Sequence, residues 1–100
     1  MKTVYPVTIT KGRDFLVSYV PDLEINTQGE NLADVIEMSR DAISLWIVSA
    51  QENGAEIPEP SDINAIKTKS GEILTLVDVN ISEYREKINK IVRRSANVYN

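Results

Sequence analysis

The sequence predicts an α+β domain of two layers. A mainly antiparallel sheet, built in the order β-β-β-α-β, carries one long helix, and a short C-terminal helix leads into a basic strand or tail. Three observations predict it. Short apolar runs broken by Gly, Pro and Asp occupy residues 4–28. A long amphipathic run extends from Asn31 to Gly54. A late β-branched run alternates over residues 72–81.

Each element has its own justification. Residues 4–10 mix β-branched and aromatic side chains and predict a strand; Pro6 within it predicts a sheet edge or a strand entry, because proline donates nothing to a ladder. Lys11-Gly12-Arg13-Asp14 predicts a turn with Gly12 free to take positive φ. Residues 15–20 form the second strand, with Phe15, Val17 and Tyr19 on one face and Leu16, Ser18 and Val20 on the other. Pro21-Asp22 breaks it, and residues 23–28 give a third strand ended by Gly29. Asn31 is a good helix N-cap, and Asp34 at the third helical position suits the positive end of the helix. Leu32, Ile36, Ile43, Ile47 and Ala50 recur at helical spacing, and a second stripe runs through Val35, Met38, Ala42, Leu45 and Trp46. The stretch 45–48 is apolar most of the way round, more than one sheet face can hide, so Trp46 is both a core residue and a candidate partner contact. Gly54 stops the helix. Residues 55–71 form a loop held extended by Pro58 and Pro60. Residues 72–81 are the fourth strand, with Val77 and Val79 on one face and Leu74, Leu76 and Asp78 on the other. Ser82 caps a short helix through residues 86–90, and residues 91–99 alternate loosely as a basic strand or tail.

Composition narrows the chemistry. The 100 residues make one domain, or one domain and a fragment of a second. There is no run of about 18 apolar residues, so no membrane span is expected. The chain has no cysteine and no histidine, which removes disulfides, thiolate chemistry and the commonest general base and metal ligand. The cytoplasm is the expected location. No Walker loop or Gly-x-Gly-x-x-Gly is present. No catalytic residue, cofactor or metal site is expected; Asp14, Asp22, Glu24 and Asp78 are read as solvated carboxylates rather than a Mg²⁺ site. The charge is uneven. Residues 14–62 hold eleven acids and a single base, Arg40, a local net of −10, whereas residues 83–100 are net +3. An acidic body repels phosphate and steers basic proteins toward it, while also aiding solubility. The basic end, with Lys90, Arg93 and Arg94, is the candidate DNA-binding segment.

Several short motifs occur in a fixed order: Pro21-Asp22, Gly29-Glu30, Asn31 with Asp34, Ile57-Pro58-Glu59-Pro60-Ser61, Val77-Asp78-Val79 and Ser82-Glu83-Tyr84. Over roughly residues 15–85 this ordered set resembles the toxin-binding N-terminal domain of the HicB-type antitoxins. The resemblance implies a partial, inactive ribonuclease H-like fold. It also implies a partner: a small basic toxin ribonuclease of the HicA type, which cleaves mRNA and whose active site the domain covers. The expected contact surface is Asp22, Glu24, Glu30, Asp34 and Glu37 with Trp46, the long helix and the exposed sheet edge contributing. The family usually continues into a C-terminal DNA-binding domain that dimerises and represses its operon, and residues 91–99 look like the opening ribbon strand of one. The expected division is therefore a toxin-binding domain over residues 1–87 and a basic segment over residues 88–100. Operator DNA, as an autorepressor would bind, is an alternative partner only if that further domain is present. A homodimer or higher homo-oligomer is left open.

Overall fold

The computed structural model describes the backbone of residues 1–98 and side chains through Val92. Its elements are β1 (Lys2–Lys11), β2 (Leu16–Val20), β3 (Ile25–Gly29), α1 (Leu32–Glu52), a 3-10 turn (Ile63–Ala65), β4 (Ile73–Asn80) and α2 (Ile81–Val98). The strands form one antiparallel sheet in the order β3-β2-β1-β4, and α1 packs on one of its faces. The predicted two-layer α+β fold is the one observed.

The core lies between α1 and the sheet. Tyr5, Val7 and Ile9 of β1, Val20 of β2, and Val77 and Val79 of β4 meet Val35, Ile43 and Ile47 of α1, all essentially buried. Strand alternation sends Leu16, Ser18 and Val20 to this side and leaves Phe15, Val17 and Tyr19 on the other. The buried residues of α1 are Val35, Ser39, Ile43, Ser44, Ile47 and Ala50, and Ser39 sits among the apolar core positions. Its hydroxyl donates to the Val35 carbonyl at 2.7 Å and lies 2.7 Å from the buried Ser18 hydroxyl. Leu32, expected on the core stripe, is instead 45% exposed, because the stripe that closes on the sheet begins at Val35.

Both ends of α1 are locally specified. Asn31 Oδ1 accepts from the Asp34 N–H, and Asp34 Oδ2 accepts from the Glu30 N–H, both at 2.9 Å. At the other end Gly54 takes φ +66°, the Ala55 N–H donates to the Ala50 carbonyl, and the Gly54 N–H donates to the Gln51 carbonyl.

The structure corrects four expectations. The C-terminal helix is long rather than short, and residues 91–98 continue it instead of forming a basic strand or tail. The loose alternation there coincides with a three-and-four spacing that runs on from Ile81, Tyr84, Ile88 and Ile91, and the local residues favour helix. Asn80, rather than Ser82, supplies the capping oxygen, accepting from the Glu83 N–H at 3.2 Å. Pro6 lies in an inner strand, yet β1 pairs with β2 only from Thr8 to Lys11 and with β4 from Lys2 to Ile9. At Pro6 one edge of β1 is therefore open, and the missing N–H is tolerated. Gly12 has no positive φ; a Cβ there would sit 2.8 Å from the Phe15 carbonyl oxygen, which the Gly12 N–H itself contacts at 2.8 Å. That glycine is required for closeness, not for handedness.

Candidate functional site

Core packing of α1 leaves an outward face made of Asp34, Glu37, Met38, Asp41 and Leu45, residues three, four and seven apart and opposite the buried stripe. Met38 and Leu45 are exposed beside the carboxylates. The lone base of the acidic span, Arg40, joins this face to the sheet edge. Arg40 Nε donates to the Asp78 carbonyl oxygen at 2.9 Å, Nη2 to Asp78 Oδ1 at 3.1 Å, and Nη1 to Glu37 Oε1. The guanidinium thus ties α1 to the edge strand β4, and its hydrogen bond holds the Asp78 carboxyl below the usual aspartate range.

Where α2 leaves the sheet it crosses α1. Arg85 reaches Gln51 Oε1 at 2.8 Å and Glu52 Oε1 at 3.7 Å. Between the helices lies an open groove of about 430 Å³, lined by the acids Glu37, Asp41 and Glu83, the bases Arg40 and Lys87, and Met38 and Tyr84 among others. Partial burial, and next the Asp41 charge, push the Tyr84 phenol upward. Asp41, Glu83 and Tyr84 were not among the expected site residues. Their signal in the sequence is the spacing Asp34, Met38, Asp41 and Leu45 on the side of α1 opposite its core stripe.

The expected contact residues separate into two groups. Glu24, Glu30 and Glu37 are exposed, and Glu24 sits at φ +54° in the β2–β3 turn. Asp22 is half-buried and committed: Oδ2 accepts from the Ser61 N–H at 2.9 Å and Oδ1 from the Ser61 hydroxyl. Asp34 is occupied by the α1 cap. Trp46 is half-buried against the core. Lys90 is exposed on α2, a helix and not a ribbon strand, and the side chains of Arg93 and Arg94 lie outside the described residues. Among the described residues, no three carboxylates gather where they could hold a metal ion. No described helix is long and apolar enough to cross a membrane.

Several of the ordered motifs turn out to touch one another. Pro21-Asp22 meets Ser61 of the proline loop, and Pro58 of the same loop accepts the Tyr5 hydroxyl at 2.6 Å. Gly29 lies under the start of α1, where a Cβ would be 2.4 Å from the Val35 nitrogen. The motif set is thus largely the scaffold that fixes α1 on the sheet.

The chain is thus a two-layer sheet-and-helix module whose long helix turns Glu37 and Asp41 outward. Residues 5–97 match the family model described as the HicB-like antitoxin of bacterial toxin–antitoxin systems, and the chain belongs to that family. It is 36% identical over 63 residues to the antitoxin HicB of Escherichia coli K12, and equally to that of E. coli O157:H7. Each match covers 61% of this chain and 46% of the relative, so the aligned region spans about half the length of those relatives. Among solved structures, a chain of a toxin–antitoxin complex from Streptococcus pneumoniae superposes with a TM-score of 0.74 at 22% identity, covering 84% of this chain and 73% of that one. A chain of a HicA3 and HicB3 toxin–antitoxin complex gives 0.67 at 24% identity, covering 78% and 99%. At those identities the likeness is one of fold.

Proposed function

We propose that this chain neutralises a small, basic, mRNA-cleaving toxin of the HicA type by docking over its active site, and that residues 1–87 carry this activity. The observation that supports it best is the unbalanced outward face of α1. The only base of residues 14–62, Arg40, is shared between Asp78 and Glu37, and the Asp34 and Asp41 carboxylates of α1 stand beside the exposed Met38 and Leu45 without it. Apolar anchors in an acidic setting suit a basic protein surface, with charge setting the encounter rate and the anchors holding the complex. The proposed contact set is Glu37 and Asp41 with Met38 and Leu45 on α1, together with the exposed Glu24 and Glu30, and Asp22 and Asp34 act through the scaffold. The two superposed structures, both toxin–antitoxin complexes, agree with a toxin as the kind of partner.

The test is co-expression with the small basic protein encoded beside this chain, followed by RNA cleavage with and without the chain. Co-purification and loss of cleavage are expected. Failure to bind or protect, with an active neighbour, overturns the proposal. The variant Glu24→Lys/Glu30→Lys/Glu37→Lys is expected to slow association about tenfold or more at low salt, with the difference shrinking as screening shortens the charge range. An unchanged on-rate and salt dependence would remove the surface assignment while leaving neutralisation intact.

A further inference from the structure

The groove between α1 and α2 carries both signs of charge, although residues 14–62 hold a single base. Its α1 wall includes Met38, Arg40 and Asp41, and its α2 wall Glu83, Tyr84 and Lys87. Both bases have donors to spare. A guanidinium has five N–H groups. Arg40 places Nε and Nη2 on Asp78 and Nη1 on Glu37, so one N–H on each terminal nitrogen is left over. Lys87 is exposed and joins none of the ion pairs among the described residues, and the same holds for Asp41 and Glu83. The Asp41 charge is felt on the opposite wall, where, after burial, it raises the Tyr84 phenol. At about 430 Å³ the space falls among the clefts of about 300–1,000 Å³ that take specific ligands.

We infer that this groove is the specificity pocket of the docking face, and that it receives a segment of the basic partner in which an acidic side chain stands next to a base. The inference rests on the toxin-binding reading of the same face. The partner's carboxylate meets the spare donors of Arg40 and the Lys87 ammonium. Its neighbouring base meets Asp41 and Glu83, with the alkyl stem laid across Met38 and Tyr84. Charge excludes the simpler occupants. A lone cation is opposed by Arg40 and Lys87, and a small anion such as phosphate is opposed by Asp41 and Glu83. A segment carrying both signs leaves neither set opposed. The outward acids speed encounter with any basic protein, whereas the groove separates the right basic protein from the others.

Substitution of Lys87 tests the inference, because two effects oppose each other there. Attraction by net charge alone makes Lys87→Glu bind a basic partner faster and more tightly. The groove makes it bind more weakly, with a dissociation constant raised about tenfold. Lys87→Gln, which adds no acid, is expected to lose affinity in the same direction. Lys90→Glu is the matched control: it makes the same charge change three residues on, outside the groove, and should leave affinity equal or improved. Affinity of the full chain for the small basic protein encoded beside it is measured at about 0.15 M and about 0.5 M salt, where the Lys87 loss should persist and any Lys90 gain should fade. Thermal melts of the variants are expected to match that of the unaltered chain. In the Lys87→Glu background, replacing one surface acid of the partner by lysine is expected to restore binding. Equal or tighter binding by Lys87→Glu overturns the inference and leaves neutralisation standing. So does a loss that Lys90→Glu shares, or the absence of any restoring replacement. An unaltered chain that binds no partner overturns the neutralisation reading and this inference with it.

Discussion

At the scale of single residues, the least replaceable positions carry small side chains. A methyl group on Gly29 would fall 2.4 Å from the Val35 nitrogen and 2.6 Å from its Cα, backbone atoms that cannot swing aside. Gly29→Ala is expected to cost about 3 kcal/mol or more, measured by urea unfolding, because overpacking against backbone forces α1 off the sheet. Ser18 and Ser39 form a buried pair between β2 and α1. Ser39→Ala strands the Ser18 hydroxyl, so each single alanine substitution should cost about 1–2 kcal/mol. The double substitution should cost at least about 0.5 kcal/mol less than the sum of the two. Additive losses would show that the hydroxyls do not depend on each other. Sequence periodicity could not find this pair: a lone serine on an apolar stripe carries no sign of the serine 21 positions earlier that faces it.

At the scale of elements, boundaries written in local chemistry were legible and those written in distant contacts were not. Asn31, Asp34 and Gly54 act within one turn of where they stand, so both ends of α1 could be read directly. The proline loop depends on partners far away: Tyr5 holds Pro58, and Asp22 holds Ser61 across 39 positions. Asp22, an expected partner contact, is thus also a structural tie. Asp22→Ala is expected to destabilise the fold by about 1–2 kcal/mol, lowering the melting temperature by roughly 5–10 °C for a domain of this size. Glu24→Ala, one turn away and exposed, should leave it nearly unchanged. Equal effects in a thermal melt would contradict the division between tie and surface. Residues 91–98 show the converse difficulty. Their apolar spacing fits both a strand and a helix, and continuity with the helix begun at Ile81 decides it.

At the scale of the whole molecule, the outward side of α1 carries Glu37 and Asp41, and the far side of the sheet leaves Val4, Val17, Tyr19 and Leu76 exposed. Two carboxylate ties, one between α1 and β4 and one at the start of β4, are sensitive to acid. Arg40 lowers the Asp78 carboxyl, and the Lys69 backbone N–H, followed by the Thr10 hydroxyl, lowers that of Glu72. Both groups are more acidic folded than unfolded. Their contribution is thus fully present above the ordinary carboxylate range near about pH 4, and it is lost as pH falls through the lower folded values. Urea midpoints should fall between about pH 5 and pH 2, and Asp78→Asn should flatten that fall. A slope unaltered by the substitution would show that Asp78 has no part in it. The direction of the Arg40 guanidinium is itself a whole-molecule fact, since it follows from β4 lying beside the start of β1 and under α1.

By itself the sequence determined the fold class, the strand faces, both ends of the long helix and the family, because each rests on near-neighbour spacing or on ordered short motifs. It also displayed the acidic span, which is a count. Only the tertiary structure decided which acids face outward and which hold the scaffold together, and that Arg40 joins Glu37 of α1 to Asp78 of β4. It alone showed that Val4, Val17, Tyr19 and Leu76 of the sheet stay exposed while Pro6 and Thr8 between them are buried. Those outcomes depend on which distant segments become neighbours, a property of sheet order and register that no local window contains.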